Sequence, residues 1–236
     1  MYPVEPLHRV ETLNIRSYLA SDFSLTDFPI NAKILDIGCG NGTHLRQLVA
    51  KGYLGFGIEP DKQKVSQLQS EGLKVETGFA ENLPYPSNSI EAILCSVVIP
   101  YTNESKAIAE WARVLVAGGT VKASYHGFGY GLRLMFRSKG VKVRVYGLRM
   151  LLNTLVYRLA GIRMPFWLGD TLCQSEKRLQ YYYSRFGFRL LDTAKNQKLF
   201  MGQPVFIYHS LVKDIVDNTA AAQVPGVEDI QQTNIA

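Results

Sequence analysis

Ile34-Leu35-Asp36-Ile37-Gly38-Cys39-Gly40-Asn41-Gly42-Thr43 is the stretch that decides the fold of this 236-residue chain. A β-branched apolar run leads into three glycines at every second position, which reads as a strand, a tight turn and the opening of a helix. Glycine is needed where the backbone takes conformations closed to other residues and where a ligand must approach with no Cβ in the way. A cofactor is therefore expected at this turn. A dinucleotide fingerprint, G-x-G-x-x-G, uses its third glycine to pack helix on strand and turns helix amides toward a pyrophosphate. Here Thr43 holds that third place and the run is Asp36-x-Gly38-x-Gly40-x-Gly42. An acid at the strand end suits a ligand carrying an ammonium group better than one carrying phosphates, which counts against an NAD-dependent oxidoreductase.

At these residues the chain resembles the class I S-adenosylmethionine-dependent methyltransferases, and within them the type 11 members that act on small molecules. Four further blocks follow in the family's order. Gly55-Phe56-Gly57-Ile58-Glu59-Pro60-Asp61 is similar to the second motif, whose acid accepts hydrogen bonds from ribose hydroxyls about 20 residues beyond the glycines. Gly78-Phe79-Ala80-Glu81-Asn82-Leu83-Pro84-Tyr85 resembles the third motif, with Phe79 standing where the family has an aspartate for the adenine amine. Ser89 to Tyr101 resembles the fourth motif and the loop after it. Glu110-Trp111-Ala112-Arg113-Val114-Leu115-Val116-Ala117-Gly118-Gly119 resembles the family's R-V-L-K-P-G-G signature. The resemblance covers residues 30 to 125. It implies S-adenosylmethionine as cofactor, held by Asp36, Gly38, Gly40, Asn41, Glu59, Pro60, Phe79, Ala80, Glu81 and Cys95.

The chain fits one domain, residues 1–215, with a tail of different composition over 216–236 that is expected to be disordered. Hydrophobic residues make up 47% of it, enough for a full core. Cys39, Cys95 and Cys173 lack metal-ligand spacing, so no metal is expected, and their placement inside packed elements points to a reducing cytoplasm. The segment Met1 to Asp22 carries charges and prolines with no apolar core, so no signal peptide is expected. The net charge of +6 has a location. Between Gly127 and Gly169 lie eight arginines and lysines with no acid before Asp170, so the remainder is slightly acidic.

Apolar runs predict strands at 33–37, 54–58, 73–77, 91–96 and 119–125, alternating with helices after Gly42, from Asp61 and from Glu104. This is the α/β pattern of a parallel sheet. A helix over 174–186 and a closing antiparallel pair at 188–193 and 204–212 complete a Rossmann-like, doubly wound, seven-stranded sheet, mostly parallel with its last strand antiparallel. Residues 1–22 are expected to form a lid helix, and 126–170 a basic helical cap insertion whose helix runs from Tyr146 to Ala160. That helix is too interrupted by polar residues to span a bilayer. The cap's bland reading is a packed helix with arginines reaching solvent. Its sharper reading is recognition of an anionic or lipid-like small-molecule acceptor, or peripheral contact with a membrane; a nucleic-acid partner is not expected.

Methyl transfer to oxygen, nitrogen or carbon needs alignment and, for a protonated acceptor, a base near neutral pH. His126, in Ser124-Tyr125-His126-Gly127 after the fifth strand, is the candidate base or positioning residue, with Gly127 and its neighbours expected to form an adaptable loop. Tyr101 is the second candidate for the acceptor pocket. The alternative reading is a non-catalytic cofactor-binding or membrane-associated protein, motivated by Phe79 and the basic cap.

Overall fold

The computed structural model describes residues 23–164 and 171–215. The expected lid helix, the end of the cap and the expected tail lie outside the described residues.

Among the described residues seven strands build the main sheet: β1 (Lys33–Ile37), β2 (Leu54–Glu59), β3 (Val75–Thr77), β4 (Ile90–Ser96), β5 (Leu115–His126), β6 (Phe188–Thr193) and β9 (Phe206–Lys213). Their order is β3-β2-β1-β4-β5-β9-β6. Strands β1 to β5 pair in parallel, and β9 runs antiparallel to both β5 and β6, so six strands share one direction. A short hairpin, β7 (Leu199–Phe200) and β8 (Gln203–Pro204), stands apart from the sheet. The chain reverses its winding between β1 and β4, the position at which open α/β sheets bind ligands at the carboxyl ends of their strands.

The strands form where β-branched and other apolar residues run without interruption, because a parallel sheet is buried on both faces. Leu35, Ile37, Ile93 and Tyr125 are buried in one core layer with Trp111 of α3 (Glu104–Val114) and Tyr183 of α6 (Glu176–Arg185). On the other face Ile34, Leu94 and Leu48, the last from α1 (Thr43–Ala50), pack with Phe23 and Phe28. Helix α2 (Lys62–Ser70) is started by Asp61, whose carboxylate accepts from the Gln63 and Lys64 amides. Asn103 does the same for α3 through the Lys106 amide. Such caps satisfy donors that have no partner within the helix.

Several boundaries differ from the sequence expectation. Strand β3 begins at Val75 rather than 73, because the Leu73 amide donates to Leu68 of the preceding helix. Strand β5 begins at Leu115, where it pairs with Ile90 ahead of a register shift. The expected adaptable loop after His126 is a helix, α4 (Phe128–Arg137), and the cap helix α5 starts at Val141 and runs to Ala160. The glycines in α4 serve close approach rather than mobility. A Cβ at Gly129 would collide with the Gln203 carbonyl, and one at Gly131 would lie 2.8 Å from Leu151 of α5.

Candidate functional site

The glycine turn closes over the end of β1. Gly38, Gly40 and Gly42 have φ of 68°, 56° and 73°, the left-handed region that only glycine enters freely. The Gly38 and Cys39 amides both donate to the Ile58 carbonyl at 2.8 and 3.0 Å, which locks the turn to β2. The Gly40 amide donates to Glu59 Oε2 at 2.9 Å. Glu59 Oε1 accepts from the Asp61 amide at 3.3 Å and lies 3.6 Å from Lys64 Nζ. Pro60 follows, half-buried, and Asn41 sits exposed at the tip, its carbonyl accepting from Arg46.

Beside this turn Asp36 is 1% exposed, and its Oδ2 has no hydrogen-bond partner. Burial, and then the neighbouring Glu59 carboxylate, push its pKa up to about 8. A buried acceptor left unpaired is rare in folded proteins and marks a place where a donor from outside the chain fits. Two acids at the end of β1 and β2 make that donor a cation or a polyol rather than a phosphate. The ammonium and ribose hydroxyls of S-adenosylmethionine are donors of the kind this pair of acceptors asks for.

The third block lies along the same rim. Phe79 is 50% exposed, and its carbonyl accepts from the Asn82 amide, while Ala80 is buried. Glu81 Oε1 accepts from the Asn103 amide at 2.8 Å, tying this turn to the start of α3. The turn is held from beneath by residues the sequence offered only as part of a signature. Arg113 donates to the Leu83 and Tyr85 carbonyls and to Glu110, and Glu110 accepts from the Leu83 amide at 2.7 Å.

At the end of β4 the Cys95 side chain faces the core, fully buried, and burial pushes its thiol pKa up. Ser96 and Ser124 share a hydrogen bond at 3.1 Å across to β5. Val97 then takes φ of 58°, an outlier for a β-branched residue, held by its amide's 2.9 Å bond to the Ser124 carbonyl. This strain throws Val98 back against Gly38, where a Cβ would collide with its side chain. The glycine turn and the β4 edge are therefore shaped by one contact.

His126 closes β5, 6% exposed, with its ring stacked on Tyr130 at 3.9 Å between centroids. Tyr101, in the single turn Ile99–Tyr101 after β4, meets the same imidazole edge-on at 6.3 Å, and Phe206 flanks it at 5.5 Å. The two sequence candidates are thus neighbours in space. Arg163 donates to the Pro100 and Thr102 carbonyls, latching the chain that leaves the cap onto the Tyr101 turn. Tyr130 and Phe206 carry no sequence signal as site residues, because their rings reach His126 only through α4 and the antiparallel pairing of β9. On the far side of β5, a cavity of about 500 Å³ is lined by Phe128, Arg158, Gln174, Ser175, Gln203 and Pro204. Gln174 is 1% exposed there with neither amide atom hydrogen-bonded. Among the described residues no cluster could hold a metal ion, and no helix is long and apolar enough to cross a membrane.

Residues 35–122 match the family described as a methyltransferase domain. An uncharacterized methyltransferase of Mycobacterium tuberculosis is 30% identical over 89 residues, which is 37% of this chain and 37% of that protein. The chain thus matches little more than a third of the length of that relative. Among solved structures, a SAM-dependent methyltransferase from Methanosarcina mazei superimposes with a TM-score of 0.61 at 18% identity, covering 86% of this chain and 98% of the other. A putative methyltransferase from Haloferax volcanii, solved with the Trm112 methyltransferase activator, gives a TM-score of 0.58 at 14% identity over 86% and 92% of the two chains.

Proposed function

We propose, from the premise that residues 35–122 belong to the methyltransferase-domain family and that the sheet around them is the Rossmann-like sheet of the class I enzymes, that this chain uses S-adenosylmethionine to methylate a small molecule. The observation that carries the reading is the buried acid pair. Asp36, with its unpaired oxygen, and Glu59, bonded to the Gly40 amide, face one glycine turn.

When bound, S-adenosylmethionine supplies an electrophilic methyl group on a sulfonium sulfur. Asp36 would take the ammonium group, while Gly38, Gly40 and Asn41 leave the backbone open to the amino-acid end. Glu59 and the adjoining Pro60 would hold the ribose. Phe79 would edge the adenine, with Ala80 and Glu81 supplying the backbone contact, and Cys95, fully buried at the end of β4, would back the cofactor site from the core. Transfer is an in-line displacement, so the chain's task is to align the acceptor and exclude water. His126 would accept the acceptor's proton or position it, its ring held by Tyr130 and Tyr101. The cationic cap favours an anionic or lipid-like acceptor, and the reading extends to transfer onto oxygen, nitrogen or carbon.

Calorimetric titration with S-adenosylmethionine and with S-adenosylhomocysteine tests the cofactor. Micromolar binding that Glu59→Ala abolishes is the expected result, and no binding of either compound to the wild type rejects the reading. Once an acceptor is in hand, His126→Ala should lower turnover about 10²–10⁴-fold with cofactor affinity intact. The second reading, a protein that binds the cofactor without transferring the methyl, draws on the exposed Phe79 in place of an adenine-binding acid. It predicts saturable binding with no transfer to any acceptor.

A further inference from the structure

The cap helix α5 presents an unusual outer face. Val141, Val145, Leu148, Leu152, Leu155 and Leu159 are between 44% and 80% exposed. At about 100° per residue these six fall within a stripe about 100° wide along one side of the helix. The helix has 20 residues, so the stripe is about 30 Å long. Soluble proteins seldom leave so continuous an apolar surface uncovered.

The orientation of α5 is fixed from the opposite side. Gly147 lies where a Cβ would meet the Gly131 carbonyl and the Met135 amide of α4. Asn153 is fully buried, its Oδ1 accepting from the Met164 amide at 2.9 Å and its Nδ2 donating to the Thr171 carbonyl at 3.2 Å. Thr154, also buried, accepts from the Cys173 amide at 2.9 Å. Rolling the helix to hide its leucines would bury the flanking cations and strand these polar groups, so the apolar stripe stays outward.

Charge chooses the occupant. On the same helical projection Lys142 lies on one border of the stripe, and Arg144 and Arg158 lie on the other; all three are exposed. No Asp or Glu occurs anywhere from Gly127 to Gly169. A second copy pairing through this face would bring cationic borders against cationic borders with no acid between them. An anionic bilayer surface answers both features, since a helix sunk to about its axis puts its apolar stripe among the acyl chains and its bordering cations among the headgroup phosphates. We infer that the outer face of α5 is an interfacial anchor that seats this protein on an anionic membrane leaflet. The inference does not rest on methyl transfer, and cofactor titration reports on that reading separately.

The test is flotation of the full chain with vesicles of phosphatidylcholine alone and of phosphatidylcholine mixed with phosphatidylglycerol. Binding to the mixed vesicles only, weakened by raised salt, is expected. Leu152→Gln together with Leu155→Gln should lower partitioning at least about tenfold, since each exposed leucine contributes the burial of part of a side chain. Lys142→Gln with Arg144→Gln should weaken the preference for anionic lipid, and adding Arg158→Gln should remove it. All of these variants change exposed side chains, and unchanged thermal unfolding and cofactor affinity would show that the fold is intact. Absence of flotation with the mixed vesicles overturns the proposal, as does equal binding to both compositions. A concentration-dependent dimer in light scattering, dissolved by the leucine changes and accompanied by no vesicle binding, assigns the face to self-association instead and overturns it too.

Discussion

Asp36 and Phe79 are the two residues at which this site departs from the simplest version of itself. The Asp36 carboxyl, pushed up to about 8, is protonated at neutral pH in the free protein, whereas an ammonium ligand calls for the ionised form. Binding must then expel a proton below about pH 8. Affinity for S-adenosylmethionine should rise with pH from about 6 to 8, by up to about tenfold per unit for full coupling to one proton, and Asp36→Asn should bind weakly with a flat profile. Calorimetry in buffers of different ionisation heat reads the released proton directly. Phe79 supplies no hydrogen bond to an adenine amine. Phe79→Asp should tighten cofactor binding about tenfold, the worth of one charged hydrogen bond on a half-exposed site. Unchanged affinity would mean that the ring contact already does as well.

Between elements, the contacts that shape the site are ones no local pattern announces. Arg113 reaches two carbonyls 28 and 30 residues away and pins the Leu83–Tyr85 turn against α3. Arg113→Ala should cost about 1–3 kcal/mol in urea unfolding, because it strands two carbonyls and leaves Glu110 with only the Leu83 amide. A pair of glycine changes separates strain from collision. Gly72→Ala, at φ of 82° with nothing within 4 Å, should cost only the backbone penalty, about 1 kcal/mol. Gly38→Ala adds the clash with Val98 and should cost more than that and loosen cofactor binding. The strands were legible because burial on both faces leaves long apolar runs in the sequence, and the glycine turn because its spacing is a local geometric demand. Helix α4 was not, since Gly129 and Gly131 read as loop residues until β8 and α5 are seen pressed against them. Asp36 and Glu59 were legible as a pair of strand-end acids. The Tyr130 stack on His126 was not, because it depends on how α4 leaves β5.

Over the whole molecule, the site and the core carry opposite proton linkages whose windows differ. His209 of β9 is buried, with Nδ1 2.9 Å from the Tyr183 hydroxyl, and burial lowers its pKa to about 4. A histidine depressed in the folded state contributes stability that is lost as pH falls from about 6.5 to 4. Asp36, raised in the folded state, has the reverse sign for an acid: its contribution is full below the ordinary carboxylate range and is lost as pH climbs to about 8. From about pH 4 to 6.5 the two slopes oppose each other, and His44, which burial also holds below the usual histidine range, adds to the histidine side. Above about pH 6.5 the unfolded chain no longer holds the histidine proton, and the Asp36 slope stands alone. Stability should fall from about pH 6.5 to 8 by up to about 1.4 kcal/mol per unit, read from urea unfolding curves. Asp36→Asn should flatten that limb and unmask the His209 slope on the acid side. Saturating S-adenosylmethionine should flatten the same limb in the wild type, because a cation paired with Asp36 removes the reason its carboxyl holds a proton. A limb that stays steep with the cofactor bound would separate the buried acid from the ligand.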